Sequence, residues 1–217
     1  MIRVLVTRTQ PDAAATAARI AALGLTPVVA PMLEAMAVRA DLPSRPAGLV
    51  VTSRQALRLA NLPSAWRNLP VWTVGAGTAA AARAAGFKLI HSGAGDGAAL
   101  AAALIADPPP APLLWLRGED VAFDLAGAGV ALTQTIVYRT EPTSIPPPKA
   151  AIALFHSARA AAAFVALARP ADWAKATALA LSDQVGAPLQ AFGFQTILVA
   201  AAPTESALID KLAQAAA

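Results

Sequence analysis

The sequence predicts an α/β protein: two similar parallel-sheet lobes joined by a two-stranded linker, with a cleft between them. Short apolar runs alternate with alanine-rich helical stretches from end to end, the pattern of parallel strands and crossover helices. An internal repeat is present as well. Gly48-Leu49-Val50-Val51-Thr52-Ser53 resembles Ile152-Ala153-Leu154-Phe155-His156-Ser157, with the serines 104 positions apart. The stretch from Val74 to Gly86 resembles that from Leu181 to Gly193, and Leu5-Val6-Thr7-Arg8 resembles Trp115-Leu116-Arg117 more weakly. The strands also balance between two lobes only when the chain's first two strands join its last three.

Residues 3–7 read as a strand. A helix follows over 11–23, with Pro11 suited to its first turn and Gly24 just past its end, and 27–30 is the second strand. Then come strand 48–52, helix 54–62, strand 71–74 and helix 78–85, ended by Gly86. Strand 88–91, helix 97–105, strand 113–116, helix 120–126 and strand 131–138 continue the alternation. Glu141-Pro142 and Pro146-Pro147-Pro148 stop the pairing, because proline removes a ladder donor. Strand 151–155, helix 158–167, strand 176–181, helix 184–191, strand 196–199 and helix 204–215 complete the chain.

Five strands lie between Gly48 and Tyr138 but only three after the prolines. The missing two are at the amino end. The expected organisation is therefore a continuous lobe over residues 42–134 and a split lobe over 1–33 plus 144–217. Crossovers at 34–41 and 135–143 join them and, side by side, can pair as a short antiparallel hinge.

Composition excludes several classes. Of 217 residues 57% are hydrophobic and 14% charged, enough apolar content to bury a core. The longest apolar run, residues 98–106, is too short to span a bilayer, which needs about 20 residues. The start of the chain lacks the basic head and apolar block of a signal peptide. There is no cysteine, hence no disulfide framework. A cytoplasmic location is expected. Lys plus Arg number 17 against 13 Asp plus Glu, without clusters, which speaks against nucleic acid and suits a small polyanion. With two histidines and no ligand spacing, no metal site is expected.

Ligands of open parallel sheets bind outside the carboxyl ends of the strands, where helix N-termini favour anions. Hydroxyls or arginines stand at many such ends: Thr7-Arg8, Thr52-Ser53-Arg54, Gly75 and Thr78, Arg117, His156-Ser157 and Ser182. Each serine or threonine alone is equally an ordinary N-cap; the pattern repeated in both halves points to a site for several carboxylates or phosphates. Gly75-x-Gly77-x-x-Ala80, with Asp96 19 residues beyond Gly77, imitates a dinucleotide fingerprint. Asp96 lies past the strand end where the fingerprint acid belongs, and the repeat partner at Ser182 lacks the glycines. Glu119-Asp120 reads as a charge pair opening the 120–126 helix. The tryptophans Trp66, Trp72, Trp115 and Trp173 read as packing. Tyr138, the chain's single tyrosine, ends a strand at the second crossover and is placed at the mouth of the cleft.

These pieces resemble uroporphyrinogen-III synthase over nearly the whole chain. The resemblance is carried by Val4-Leu5-Val6-Thr7-Arg8, Pro31-Met32-Leu33, Val51-Thr52-Ser53-Arg54-Gln55-Ala56, Val74-Gly75 with Thr78-Ala79, Leu116-Arg117-Gly118, Val137-Tyr138-Arg139-Thr140, Phe155-His156-Ser157 and Ala202-Pro203-Thr204, in that order. It implies cyclisation of hydroxymethylbilane, a linear tetrapyrrole with eight carboxylates, to uroporphyrinogen III, with inversion of the last ring and loss of water. It implies no metal or organic cofactor. Tyr138 matches the family tyrosine proposed to assist departure of the hydroxyl group, and Thr7, Arg8, Thr52, Ser53, Arg54, Gly75, Thr78, Arg117, Ser157 and Ser182 are the expected substrate-binding positions. The expected partner is the small-molecule substrate alone, with no nucleic acid, no membrane and a monomeric state. Val185 and His156 depart from the family pattern, since a hydroxyl is usual at the first and threonine or a bulky residue at the second. They keep open a two-lobed, non-catalytic binding protein for a small anionic ligand.

Overall fold

The computed structural model describes residues 1–216. The chain divides into two compact units, a split one (Met1–Glu34 with Glu141–Ala217) and a continuous one (Ala35–Thr140). In chain order the elements are β1 (Arg3–Val6), α1 (Asp12–Ala22), β2 (Thr26–Val29) and β3 (Leu33–Ala37), then β4 (Gly48–Val51), α2 (Arg54–Leu59), β5 (Pro70–Thr73) and α3 (Ala76–Ala84). They continue with β6 (Leu89–Ser92), α4 (Gly97–Ala106), β7 (Leu113–Gly118), β8 (Thr133–Pro142), β9 (Ile152–Phe155) and α5 (Ala158–Leu167). The last are α6 (Pro170–Trp173), β10 (Thr177–Ala180), α7 (Asp183–Gly186), β11 (Thr196–Val199) and α8 (Glu205–Ala216).

The split unit holds a sheet of order β11-β10-β9-β1-β2, with every pair parallel. The second sheet has the order β3-β8-β7-β4-β5-β6 and is parallel from β8 to β6. Thr143 N–H donates to Met32 O and Val38 N–H to Val137 O, so residue numbers rise along β3 as they fall along β8, and that pair is antiparallel. Both sheets share one plan. β4 and β9 are central, the next two strands in sequence extend to one side, and two more lie on the other, with β3 added beyond them in the second sheet. In the continuous unit those two follow in the chain (β7, β8); in the split unit they come from its beginning (β1, β2).

Local sequence explains the arrangement. β4 (GLVV) and β9 (IALF) are buried at every position, as central parallel strands covered on both faces must be. α1 turns Ala13, Thr16 and Ile20 inward at helical spacing and ends at Gly24, whose φ of 74° is cheap only for glycine. One face of the split unit packs an aromatic cluster in which Phe164 meets Phe155 and Trp173 edge-on, with ring centroids 5.1 and 4.9 Å apart. Trp66, Trp115 and Trp173 are buried, and Trp72 stacks on His91 at 4.8 Å.

Two expected helices are different. Residues 120–126 form turns, so Glu119-Asp120 opens no helix. Asp124 Oδ1 accepts from Ala126 N–H at 3.1 Å, a local bond that competes with helix, and Gly127 and Gly129 (φ 91°) follow at once. Leu125 and Val130 instead anchor the segment in the core beside Trp115. The expected helix over 184–191 is the four-residue α7 followed by a 3-10 turn, Ala187–Leu189, because Pro188 supplies no N–H to continue it.

Phe164 is fully buried at the centre of the aromatic cluster. Phe164→Ala is expected to cost about 3–5 kcal/mol, read as a lower denaturant midpoint at unchanged slope.

Candidate functional site

The continuous unit collects its polar groups where β4, β7 and β8 present their ends. β4 is followed by Thr52 and then Ser53, the N-cap of α2, whose Oγ accepts from Gln55 N–H at 3.1 Å. Trp115 Nε1 donates to Thr52 Oγ1 at 3.2 Å, which fixes the loop over the sheet. Tyr138, on β8, donates its phenolic O–H to Ser53 Oγ at 3.0 Å. The ring can lie there because residue 118 is glycine: a Cβ at Gly118 would stand 2.6 Å from the tyrosine ring. Thr52, Ser53 and Tyr138 line a pocket of about 750 Å³, together with Val74, Gly95–Ala98, Gly118 and Asp120–Phe123.

Four other expected residues of this unit do not line that pocket. Arg54 is half-buried on the first turn of α2. Gly75 caps α3 against Gly95, whose Cα would lie 3.0 Å from an added Cβ, and Thr78 is buried on α3. Arg117 is a clamp: Nε donates to Gly118 O at 2.9 Å, Nη1 to Gln134 Oε1 at 2.8 Å and Nη2 to Glu119 O at 2.6 Å, with the guanidinium over Trp115. Asp96 caps α4 through Ala99 N–H at 2.7 Å, in keeping with its position beyond the strand.

The split unit shows the same N-cap logic with a different outcome. Ser157 Oγ accepts from Ala160 N–H at 3.2 Å and Ser182 Oγ from Val185 N–H at 3.4 Å. Thr7 is fully buried and gives its hydroxyl to Leu154 O at 2.6 Å, stitching β1 to β9. Arg8 pairs with Glu205 at 2.8 Å and with Asp12 at 3.0 Å. Glu205 also accepts from Thr16 Oγ1 at 2.6 Å and faces His156 Nε2 at 2.8 Å, while His156 Nδ1 is buried without a hydrogen-bond partner among the described residues. Burial alone would raise the Glu205 pKa, but the hydrogen bonds from His156 and Thr16 and the charges of His156 and Arg8 hold it down at about 2. Burial lowers the Arg8 pKa, opposed by the Glu205 charge. Val185, where the family pattern has a hydroxyl, is buried in the core of this unit.

Sequence reasoning missed Glu205, Phe123 and the pocket role of Asp96 and Asp120. A threonine followed by an acid at 204–205 is a legible helix-start signal, but nothing local links Glu205 to Arg8, 197 positions away.

A two-unit α/β protein with hydroxyls gathered at the ends of its parallel strands is the class this geometry defines. The chain belongs to the uroporphyrinogen-III synthase family: the family described as Uroporphyrinogen-III synthase HemD matches residues 14–210. Its activity is that family's, a cyclising hydro-lyase reaction of tetrapyrrole biosynthesis on a small-molecule tetrapyrrole. The solved uroporphyrinogen-III synthetase of Helicobacter pylori shares the fold over 100% of both chains, at 17% identity and a TM-score of 0.66. The wild-type uroporphyrinogen III synthase of Thermus thermophilus matches over 100% of this chain and 98% of its own, at 17% identity and a TM-score of 0.45. No curated protein sequence gives a match. Among the described residues no helix is long and apolar enough to cross a membrane, and no group of His, Asp and Glu could hold a metal ion.

Two outcomes follow from this geometry. The Glu205 carboxylate is ionised down to about pH 2 in the folded protein but only to about 4.5 in the unfolded chain, so its contribution to stability is whole above pH 4.5 and lost as pH falls towards 2. Glu205→Gln is expected to remove that acid slope and cost about 1–3 kcal/mol at pH 7, measured by thermal melts across pH. Gly118→Ala is expected to displace the phenol from Ser53 and lower turnover at least tenfold with a smaller effect on melting temperature, checked by steady-state kinetics and calorimetry.

Proposed function

We propose that Tyr138 is the catalytic proton donor and that Ser53 holds its phenol in place. The observation that carries this is the 3.0 Å hydrogen bond between them on the wall of the pocket. The phenol gives a proton to the substrate's hydroxymethyl oxygen, which departs as water with the C–O electron pair and leaves the terminal ring cationic. A phenol is a weak acid, so orientation carries much of the effect. The linear substrate also closes without ring inversion. A hundredfold preference for the inverted product needs about 2.7 kcal/mol of differential transition-state stabilisation.

Thr52 and Ser53 are the substrate-facing hydroxyls of the continuous unit in this reading. Thr7, Arg8, Arg54, Gly75, Thr78, Arg117, Ser157 and Ser182 act mainly by shaping the loops that carry their backbone N–H groups. The residue pairings above support that division: Thr7, Arg8 and Arg117 already have their polar atoms engaged. We further take the functional lobes as 1–33 plus 144–217 and 42–134, with 34–41 and 135–143 as connecting segments; the two compact units support it. The same reading has a cytoplasmic monomer whose partner is the tetrapyrrole alone, supported by the dispersed charge of +4.

Purified protein given freshly generated hydroxymethylbilane is expected to yield the III isomer, where formation of only the I isomer would overturn the reading. Tyr138→Phe is expected to lower kcat by about 10²-fold or more at nearly unchanged stability, and wild-type turnover would remove the phenol from the chemistry.

A further inference from the structure

The ladder between β7 and β8 changes register at its last step. From Leu114 opposite Thr133 to Arg117 opposite Ile136 the pairing advances one residue at a time, but Gly118 then stands opposite Tyr138, and Val137 is the extra residue of a β-bulge. Successive side chains of a regular strand point to opposite faces. Here Val137 and Tyr138 both pack with the cluster that holds Leu114 and Leu116. Without the extra residue Tyr138 would share the face of Trp115 and Arg117. With it the ring lies over Gly118 and the phenol reaches Ser53 Oγ at 3.0 Å.

Arg117 is fastened across this bulge. Its Nη1 donates to Gln134 Oε1, on β8 ahead of the bulge, at 2.8 Å. Its Nε and Nη2 donate to the carbonyls of Gly118 and Glu119, at the end of β7, at 2.9 and 2.6 Å. The guanidinium lies over Trp115, 5.2 Å from the ring centroid, and Glu119 N–H donates to Tyr138 O at 2.9 Å. One planar fork thus ties β8 on one side of the bulge to the two residues that meet Tyr138 on the other.

We propose, building on the reading of Tyr138 as proton donor, that Arg117 is a positioning residue for that phenol: it locks the bulge that aims Tyr138 at Ser53, and it does not hold the substrate by charge. Released from the clamp, the end of β7 shifts against β8, and a displacement of about 1 Å at a reacting group can cost about 10²-fold in rate. The loss falls on kcat, because the phenol meets the departing oxygen in the transition state. Lysine is no substitute, since a point charge on a flexible stem makes no planar fork.

The chain's single tyrosine gives a direct test. The full chain carrying meta-fluorotyrosine at Tyr138 shows one fluorine NMR resonance, which reports the surroundings of the phenol without turnover. Ser53→Ala removes the hydrogen bond and marks where the resonance of a released phenol falls. Arg117→Met and Arg117→Lys are expected to move the resonance the same way. In the unlabelled variants, with hydroxymethylbilane generated in situ, kcat is expected to fall about tenfold or more with KM within about twofold. Gln134→Ala removes one arm of the fork and is expected to give the same pattern more weakly; it carries the comparison if Arg117→Met does not fold. An arginine that binds a substrate carboxylate gives the opposite: an unmoved resonance, with KM raised in Arg117→Met and largely restored in Arg117→Lys. That result overturns the proposal, as does an unmoved resonance in Arg117→Met alone. A wild type that makes only the I isomer defeats the chemistry assigned to Tyr138, while the fluorine signal still decides whether Arg117 aims it.

Discussion

A parallel strand buried on both faces has no room for polar side chains along its length, and this constraint governs the rest of the molecule. β4 and β9 are apolar from first to last residue. Polar chemistry is therefore confined to the first positions beyond each strand, where the chain turns into a helix and backbone N–H groups lack partners. Ser53 and Ser157 occupy that position after the two central strands, and Gly75 and Ser182 after their neighbours. The candidate site lies at these ends because the central strands have no polar residue along their length.

The shared plan makes the differences between the units informative. Ser53 and Ser157 are both N-caps, but only Ser53 receives a phenol, because β8 continues far enough to bring Tyr138 across Gly118. α1 covers the split unit's sheet after β1, and Thr16 and Asp12 on it draw Arg8 and Glu205 into a closed ion network. The corresponding segment after β7 forms turns, which leaves Asp120 and Phe123 on the wall of a pocket instead. One helix present and one absent separate a packed end from an open one.

The fold was legible because its determinants are local. Apolar runs, prolines and glycines mark strands and caps, and the repeat at Ser53 and Ser157 revealed the pairing of the halves. The turns at 120–126 were not legible, since Leu125 and Val130 are held by long-range burial against Trp115 and the helix signal there was only weak propensity. Tyr138 stood out as a single tyrosine at a strand end, yet its partner Ser53 is 85 positions away. The arginines were the reverse case. Arg8 and Arg117 looked like bare cations at strand ends, while the folded chain has given each of them acceptors that only tertiary packing supplies.

That use of the arginines bears on how the reaction can be selective. By the strand registers Arg8 and Arg117 occupy equivalent places, two positions beyond β1 and near the end of β7; Arg8 is paired with carboxylates and Arg117 is held by neutral oxygens. A flexible polycarboxylate held by exposed cations would be bound tightly in many orientations, and such uniform binding does not change which product forms. Recognition through fixed hydroxyls and backbone N–H groups is weaker per contact but directional, and direction is what decides whether the last ring closes inverted or not. In the reading proposed above, a phenol pinned by a capping serine among strand-end hydroxyls is thus better suited to choosing between two closures than to holding the substrate hard.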